Sequence, residues 1–140
     1  MSDRRLAREV AVQSLYEIAH TEESFERALE SNLERREGNP AVRGYAARLL
    51  EAVGTHRDEI QARLAASIDN WSLERVAMVD RCVLEVATAE ILYFSDVPAA
   101  VAIDEAVTIV RKFSTQESGP FVNGVLDRIA RTAAKPAGEA

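Results

Sequence analysis

The sequence predicts an all-α fold of about seven helices in two small helical bundles. Apolar residues recur at the 3.6-residue helical period along most of the chain, and no segment shows the alternation typical of a strand. The composition agrees, because only six glycines and four prolines interrupt a chain rich in Ala, Leu, Glu and Arg. At 140 residues, the chain fits one domain with a substantial core. We expect an N-terminal bundle of about residues 1–68 and a C-terminal bundle of about residues 71–134.

One stretch, from Val79 to Phe94, is apolar around most of its helical circumference and is expected at the centre of the fold. Arg81, Glu85 and Thr88 form its narrow polar strip. Glu90 falls in its apolar sector, where an ionised carboxylate is costly unless it is paired or hydrogen-bonded. We expect Glu90 to tie a neighbouring helix or loop to the central helix, because the sequence offers no obvious second polar group for proton transfer.

Capping residues and prolines mark where the helices begin. Asn39 is a good N-cap, and Pro40 suits the first position of the helix that follows. Ser72 is expected to cap a short helix, and Pro98 and Pro120 each open a further one. The expected helices cover about residues 2–20, 24–36, 40–68, 73–78, 79–94, 98–113 and 120–134.

Two glycines lie inside predicted helices. Gly54 permits a bend in the third helix. Gly124 costs about 1 kcal/mol relative to alanine in the last helix, so something should require its missing side chain. Either another helix approaches closely there or a ligand reaches the backbone, and the residues alone leave both interpretations open. Residues 135–140 are expected to form a frayed tail.

Composition also indicates the cellular compartment of the protein and the partners that it can bind. Cys82 is the only cysteine and lies on the central apolar face, which fits a reducing compartment without disulfides. No apolar run approaches the roughly 20 residues that span a membrane, and the first residues lack the apolar core of a signal peptide. We therefore expect a cytoplasmic protein. Its net charge of −6 argues against indiscriminate nucleic-acid binding by bulk charge, so any such contact needs a local basic patch.

The first predicted helix carries such a patch. Its cations oppose the helix macrodipole, which favours a functional role. Arginine forks bind phosphate well, and tyrosine rings stack on unpaired bases. A solvated charged face, partly neutralised by Glu9, explains the same pattern, and charge alone leaves both interpretations open. The predicted exposed sector comprises Arg4, Arg5, Arg8, Val12 and Tyr16, flanked by Gln13.

The residues with catalytic potential form no recognisable constellation. His20 and His56 lie far apart in sequence and lack the spacing of a zinc-binding helix. Asp104 and Glu105 are adjacent, so their side chains point about 100° apart on a helix. The chain also lacks a phosphate-binding glycine loop and a nucleophile elbow. We therefore expect neither an enzyme nor a bound metal or cofactor.

Three segments together resemble the NusB family of transcription antitermination factors. The opening RRLAREVAVQSLYE resembles the family's Arg-rich first helix, and WSLERVAMVDRCVLEVATAEIL resembles its short and central helices. VPAAVAIDEAVTIVRKFSTQESGPFVNGVLDRI resembles its last two helices and their link. These segments follow the family's order and spacing and cover well over half the chain, whereas residues 22–66 add little beyond a helical pattern.

The resemblance implies an all-helical protein that acts in transcription. Together with NusE, a small ribosomal protein, it would bind single-stranded boxA RNA, so that RNA polymerase resists termination, notably on ribosomal RNA operons. RNA polymerase and other Nus factors would be indirect partners. The alternative is a helical protein–protein scaffold or homodimer whose arginines only pair with acids.

The resemblance also implies which residues form the binding surfaces. NusE is expected on the surface of the short and central helices, with Glu74 and Asp80 as exposed contacts, and Tyr16 could serve either surface. A basic residue is common in the family where this chain has Gly119 and Pro120, so more of the electrostatic binding falls to the arginines. The implied RNA-binding residues are Arg4, Arg5, Arg8, Gln13, Glu117, Ser118, Phe121 and Asn123.

Overall fold

The helices of the protein are seen in a computed structural model that describes residues 2–68 and 73–133. Seven α-helices and one 3₁₀ turn, Leu73–Arg75, make up the described chain, and no strand occurs within it. The predicted all-α fold is confirmed. None of the helices in these two ranges is long and apolar enough to cross a bilayer. The α-helices are α1 (Asp3–His20), α2 (Phe25–Arg36), α3 (Pro40–Thr55), α4 (Arg57–Ser67), α5 (Met78–Tyr93), α6 (Ala99–Phe113) and α7 (Ser118–Ala133).

The first three helices begin at side-chain caps. Ser2, Ser24 and Asn39 each accept a hydrogen bond from the backbone N–H three residues later, which satisfies one of the free donors of the first turn. Pro40 occupies the first turn of α3, where its missing N–H costs nothing. The left-handed residue that ends α2 is Glu37, with φ of 55°.

Several predicted boundaries are wrong. The third predicted helix is two helices, α3 and α4, which meet at His56 rather than bending at Gly54. The His56 ring stacks on Tyr93 of α5 at a centroid distance of 3.7 Å, which fixes the junction against the central helix. The short helix is a single 3₁₀ turn, and α7 begins at Ser118, before Pro120. The predicted cap Ser72 and the predicted tail lie outside the described residues.

Helix α5 lies at the centre of the fold, as predicted. It contacts α1, α3, α4, α6 and α7. Every residue from Cys82 to Glu90 is buried, so two members of the expected polar strip lie in the interior: Glu85 is 6% exposed and Thr88 is fully buried, whereas Arg81 is half-buried. Burial raises the pKa of the Cys82 thiol to about 12, so the thiol is neutral at physiological pH.

The packing joins the two predicted bundles. Helix α1 packs on α2 and α3 and also on α5, while α4 packs on α5 and α7 as well as on α3. Buried apolar side chains from all seven helices form one cluster. The division of the domain near residue 70 remains a prediction.

Candidate nucleic-acid interface

The three arginines of the first helix lie in different environments. The side chains of Arg4 and Arg5 are 47% and 39% exposed, whereas that of Arg8 is 5% exposed. The prediction that all three share one exposed sector is therefore wrong for Arg8. Val12 was expected in the same sector and is also buried, because α1 is covered by α2, α3 and α5.

Arg8 belongs to a buried cluster around Glu90. Its Nε atom lies 3.0 and 2.9 Å from the two carboxylate oxygens of Glu90. The Tyr45 hydroxyl donates a hydrogen bond of 2.5 Å to the same carboxylate. Burial and this hydrogen bond raise the pKa of Tyr45, which keeps the hydroxyl protonated as a donor. Glu90 thus ties α1 and α3 to α5, and its predicted structural role is confirmed.

Arg5 makes a bidentate ion pair with Glu105 of α6. Its Nε and Nη2 atoms donate hydrogen bonds of 2.8 and 3.0 Å to the two carboxylate oxygens. These bonds lower the pKa of Glu105, although partial burial opposes the shift. Arg8 approaches the same carboxylate at 3.8 Å. Arg5 is accessible, but the face of its guanidinium that meets α6 is already occupied.

Arg4 lies at the surface over the ring of Tyr45. Its Cζ atom is 4.5 Å from the ring centroid, a distance typical of a cation–π contact. Its Nη2 atom donates a 2.9 Å hydrogen bond to Asp96 in the turn between α5 and α6. Arg48 of α3 reaches the same carboxylate at 3.3 Å. Both arginines lower the pKa of Asp96, with the Arg4 hydrogen bond as the largest cause.

Gln13 and Tyr16 line a second region, a groove of about 460 Å³ between α1, α2 and the start of α5. The Gln13 Oε1 atom accepts a 2.9 Å hydrogen bond from Arg36, so its carbonyl is already engaged. Tyr16 is 40% exposed and stands beside His20 at a centroid distance of 4.3 Å. The remaining groove residues are Val12, Glu17, Asn32, Arg35, Arg36, Val79 and Phe113.

Glu9 acts on Arg5 only at longer range and makes no ion pair with Arg4, Arg5 or Arg8 in the described chain. It is 1% exposed and pairs instead with Arg36 of α2, at 2.5 Å, and with Lys112 of α6, at 3.2 Å. These two cations satisfy a carboxylate that would be costly to bury alone. Glu9 therefore holds α1 between α2 and α6 and leaves Arg4 and Arg5 to other partners.

The predicted NusE contact Asp80 and the predicted RNA contact Ser118 meet in one hydrogen bond. The Ser118 Oγ atom donates to Asp80 Oδ2 at 2.7 Å. Both residues are buried, at 6% and 4% exposure, so the expectation that Asp80 is exposed is wrong. As an acid in the first turn of α5, Asp80 is stabilised by the N-terminal end of that helix. Its Oδ1 atom has no hydrogen-bond partner in the described chain.

A groove of about 290 Å³ opens beside this pair. Asp80 and Ser118 line it together with the exposed Glu117 and the half-buried Phe121. The predicted RNA edge of the last helices thus adjoins the predicted NusE surface. Glu74 is exposed in the nearby 3₁₀ turn, as expected, although it does not line the groove. The other lining residues are Arg75, Val76, Ala77 and Thr115.

Asn123 and Gly124 are exposed on α7. A Cβ atom added to Gly124 would meet nothing within 4 Å, so close approach of another helix, one of the two interpretations left open by the sequence, does not occur within the described chain. Asn123 lines an open groove with Arg111 of α6. A Cβ atom at Gly119 would lie 3.3 Å from the Arg111 Nε atom, so a cation does stand beside the link that lacks a basic residue.

Two functional candidates, Arg48 and Asp96, are not signalled by the sequence. They lie 44 and 92 residues from Arg4 and fall outside the residues that the motifs single out. The sequence near Asp96 offers one weak indication of a functional role, which is its position in a turn just after the apolar end of α5. Arg111 is also missed, and it makes no ion pair with residues 2–68 or 73–133.

The described residues define a class of all-α proteins, with seven helices in residues 2–68 and 73–133 and exposed arginines at the start of the first. The model of the NusB family matches residues 5–131. The chain belongs to the NusB family, and the resemblance inferred from its three segments is confirmed.

Curated and solved relatives agree with this assignment. The transcription antitermination protein NusB of Myxococcus xanthus (strain DK1622) is 39% identical over 140 residues, which covers 97% of this chain and 100% of that protein. NusB of T. maritima has a TM-score of 0.87 and 34% identity over 99% of this chain and 96% of that one. A chain in a crystal structure of the antitermination factors NusB and NusE in complex with dsRNA has a TM-score of 0.86 and 26% identity, covering 94% of this chain and 98% of that one.

Proposed function

We propose that this protein is a transcription antitermination factor that binds boxA RNA together with NusE and helps RNA polymerase resist termination, notably on ribosomal RNA operons. The observation that carries the proposal is the match, over 94% of the chain, to a structure of NusB and NusE in complex with dsRNA. The function is one of binding, to which we assign no catalytic residue. A factor of this kind works in the cytoplasm, beside the polymerase and the other Nus factors.

Arg4 and Arg5 are the direct phosphate contacts in this proposal, because their side chains remain accessible. Arg8 acts indirectly, since its guanidinium holds Glu90, which in turn holds Tyr45 beneath Arg4. On α7, the exposed Asn123 and half-buried Phe121 suit contacts with splayed bases. Three further residues belong to the edges of this surface: Gln13, Glu117 and Ser118.

NusE is proposed to bind beside the groove of Asp80. Glu74 and Glu117 offer exposed acids beside this groove, and the buried Asp80 fixes the start of α5 against Ser118 of α7. An acidic edge suits a basic ribosomal partner. Tyr16 provides an exposed ring on the adjoining side of α5. NusE would then contribute further cations for RNA binding to a complex in which this chain has a net negative charge.

Fluorescence anisotropy of labelled RNA tests the proposal. The protein with NusE is titrated against single-stranded boxA RNA, the same sequence as a duplex, and a scrambled strand. We expect single-stranded boxA RNA to bind more tightly than the scrambled strand. Comparison of the affinities for the single strand and the duplex shows which form of boxA the protein prefers. Equal affinity for boxA and scrambled RNA would reject the function.

A pair of double variants locates the RNA surface. Arg4→Ala with Arg5→Ala should lower RNA affinity and flatten the slope of log affinity against log salt by about 0.7 for each phosphate that is no longer neutralised. Arg27→Ala with Arg43→Ala removes the same charge from exposed positions on α2 and α3 and should change affinity far less. Equal losses of affinity in the two double variants would mean that only net charge matters.

The ion pairs favour a second candidate function. Arg4, Arg5 and Arg8 all meet carboxylates of the same chain, as expected of a helical scaffold or homodimer that binds no RNA. In that case NusE binds and RNA adds nothing to the complex. Sedimentation of the protein alone, with NusE, and with NusE plus boxA RNA separates the two functions, because only the first yields a ternary complex.

A further inference from the structure

Two arginines from different helices bracket one exposed carboxylate. Arg4 of α1 and Arg48 of α3 lie 2.9 and 3.3 Å from the two oxygens of Asp96. The three side chains are 47%, 48% and 47% exposed, so water and ligands reach the whole group. Two cations and one anion leave a net positive charge on a surface whose total charge is negative.

Aromatic rings hold both guanidinium groups in place. The Cζ atom of Arg4 lies 4.5 Å from the centroid of Tyr45, and that of Arg48 lies 4.1 Å from the centroid of Phe94. The two rings are buried and meet edge to face at 5.7 Å. Since the rings support the arginines from beneath, the arginines keep their positions when Asp96 moves away. The pair is preorganised for an anion.

Three carboxylates pair with the arginines of α1, and Asp96 is the one that can exchange for another anion. Glu90 is 1% exposed and is held by Arg8 and Tyr45, so it cannot leave. Glu105 is 17% exposed and is held by a bidentate pair. Asp96, by contrast, makes one hydrogen bond to each arginine at the surface, where an ion pair contributes little.

We propose that Arg4 and Arg48 form a site for one RNA phosphate, which Asp96 occupies in the free protein and yields when RNA binds. The inference rests on the proposed function and extends it to Arg48 and Asp96. A phosphate matches the site because its two non-bridging oxygens can each accept hydrogen bonds from one guanidinium fork, as the two oxygens of Asp96 do in the free protein. The displaced carboxylate turns to solvent.

The exchange predicts opposite effects for neighbouring substitutions. Asp96→Asn removes the competing charge, so RNA affinity should rise by roughly three- to tenfold and its salt dependence should steepen. Arg48→Gln removes half of the site, so affinity should fall by a similar factor and the salt dependence should flatten. Arg48→Lys keeps the charge but loses the planar fork, so its affinity should lie between those of Arg48→Gln and the wild type.

The chain offers a matched control on the same helix. Arg43 of α3 pairs with Glu30 of α2, and both side chains are about half exposed. Arg43→Gln and Glu30→Gln change the net charge by the same amounts as Arg48→Gln and Asp96→Asn. Neither control residue belongs to the group formed by Arg4, Arg48, Asp96 and the two rings, so both control variants should bind RNA like the wild type.

The test measures anisotropy of boxA RNA with NusE at several salt concentrations for all of these variants, with circular dichroism melting to confirm that each is folded. Opposite shifts at Asp96 and Arg48, with neither control shifted, support the site. Unchanged affinity in Asp96→Asn and Arg48→Gln, or weaker binding by a folded Asp96→Asn, overturns it. A wild type that does not prefer boxA over scrambled RNA contradicts the proposed function instead, so the two failures are distinguishable.

Discussion

The Arg8 guanidinium is enclosed within the fold by the Glu90 carboxylate, at 2.9 and 3.0 Å from its two oxygens. Exposures of 5% and 1% show that both charges have lost nearly all their water. The attraction within such a pair is largely offset by desolvation, whereas breaking it leaves one charge buried and unpaired. The pair therefore adds little net stability but favours one packing arrangement of α1 against α5 over others. It also explains why one arginine of the Arg-rich first helix lies in the interior.

Replacing Arg8 with alanine should destabilise the protein by about 3–5 kcal/mol, because Glu90 would remain buried with Tyr45 as its only donor from the described chain. Arg5→Ala should destabilise the protein far less, since Arg5 is accessible and its ion pair lies at the surface. Urea denaturation monitored by circular dichroism measures both. Loss of RNA binding by Arg8→Ala would then reflect loss of structure.

A double-mutant cycle checks the assignment to Glu90. Arg8→Met combined with Glu90→Leu removes both charges, so the double variant should be much less destabilised than the sum of the single variants. Additive losses of stability, or an Arg8→Ala protein with the wild-type urea midpoint, would contradict the buried pair.

Most of the fold is predictable because helical periodicity and caps are local properties of the sequence. Glu90 is predictable for the same reason, since a carboxylate within an apolar sector needs a partner. The burial of its partner Arg8 is not predictable in this way. A helical wheel uses only local sequence and places a charged residue on the exposed face, whereas the carboxylate that pairs with Arg8 lies 82 residues away. The same limit applies to Asp80, which looks like an exposed acid until Ser118 is brought against it.

Glu85 should make stability depend on pH. Burial raises the pKa of its carboxyl, even though Arg57 and Arg81 oppose the shift. A raised folded-state pKa means that the proton binds more tightly in the folded protein. The stabilisation is present below the unfolded pKa of about 4.3 and is lost as the pH rises through the folded value. Glu85→Gln should therefore be more stable than the wild type at pH 7.

Urea midpoints between pH 4 and 7.5 test this expectation. The advantage of Glu85→Gln should shrink towards pH 4, because protonation of the wild-type carboxyl increases as the pH falls. Glu59→Gln is the control, because Glu59 is an exposed partner of Arg63 on α4. A stability difference that stays constant with pH would show that ionisation of Glu85 is not its cause.

Ser118→Ala should destabilise the protein by about 1.5–3 kcal/mol, because the hydroxyl donates to the buried, ionisable Asp80 and removing it leaves both carboxylate oxygens poorly satisfied. Thr108→Ala removes an exposed hydroxyl that bonds only to the backbone of α6, so it should lie within about 0.5 kcal/mol of the wild type. Thermal melting compares the two. Equal melting temperatures for Ser118→Ala and the wild type would show that this hydrogen bond contributes little.

Gly124→Ala should stabilise the protein by about 0.5–1 kcal/mol, because an added Cβ meets nothing within 4 Å and alanine is the better helix former. Gly44→Ala in α3 should do the same, since its Cβ is equally free. Gly54→Ala should not stabilise the protein, because its added Cβ atom would lie only 2.8 Å from the Phe25 ring. Thermal melting of the three variants beside the wild type measures these differences.

The comparison of Gly124 with Gly44 also tests whether a ligand reaches the backbone of α7. Both alanine variants should gain stability, so a loss of RNA affinity confined to Gly124→Ala can only come from its place beside Asn123 on the proposed RNA surface. Anisotropy with boxA RNA and NusE measures that loss. If both variants bind RNA like the wild type, the glycine at position 124 has no role in recognition, and the RNA path over α7 must avoid this turn of the helix.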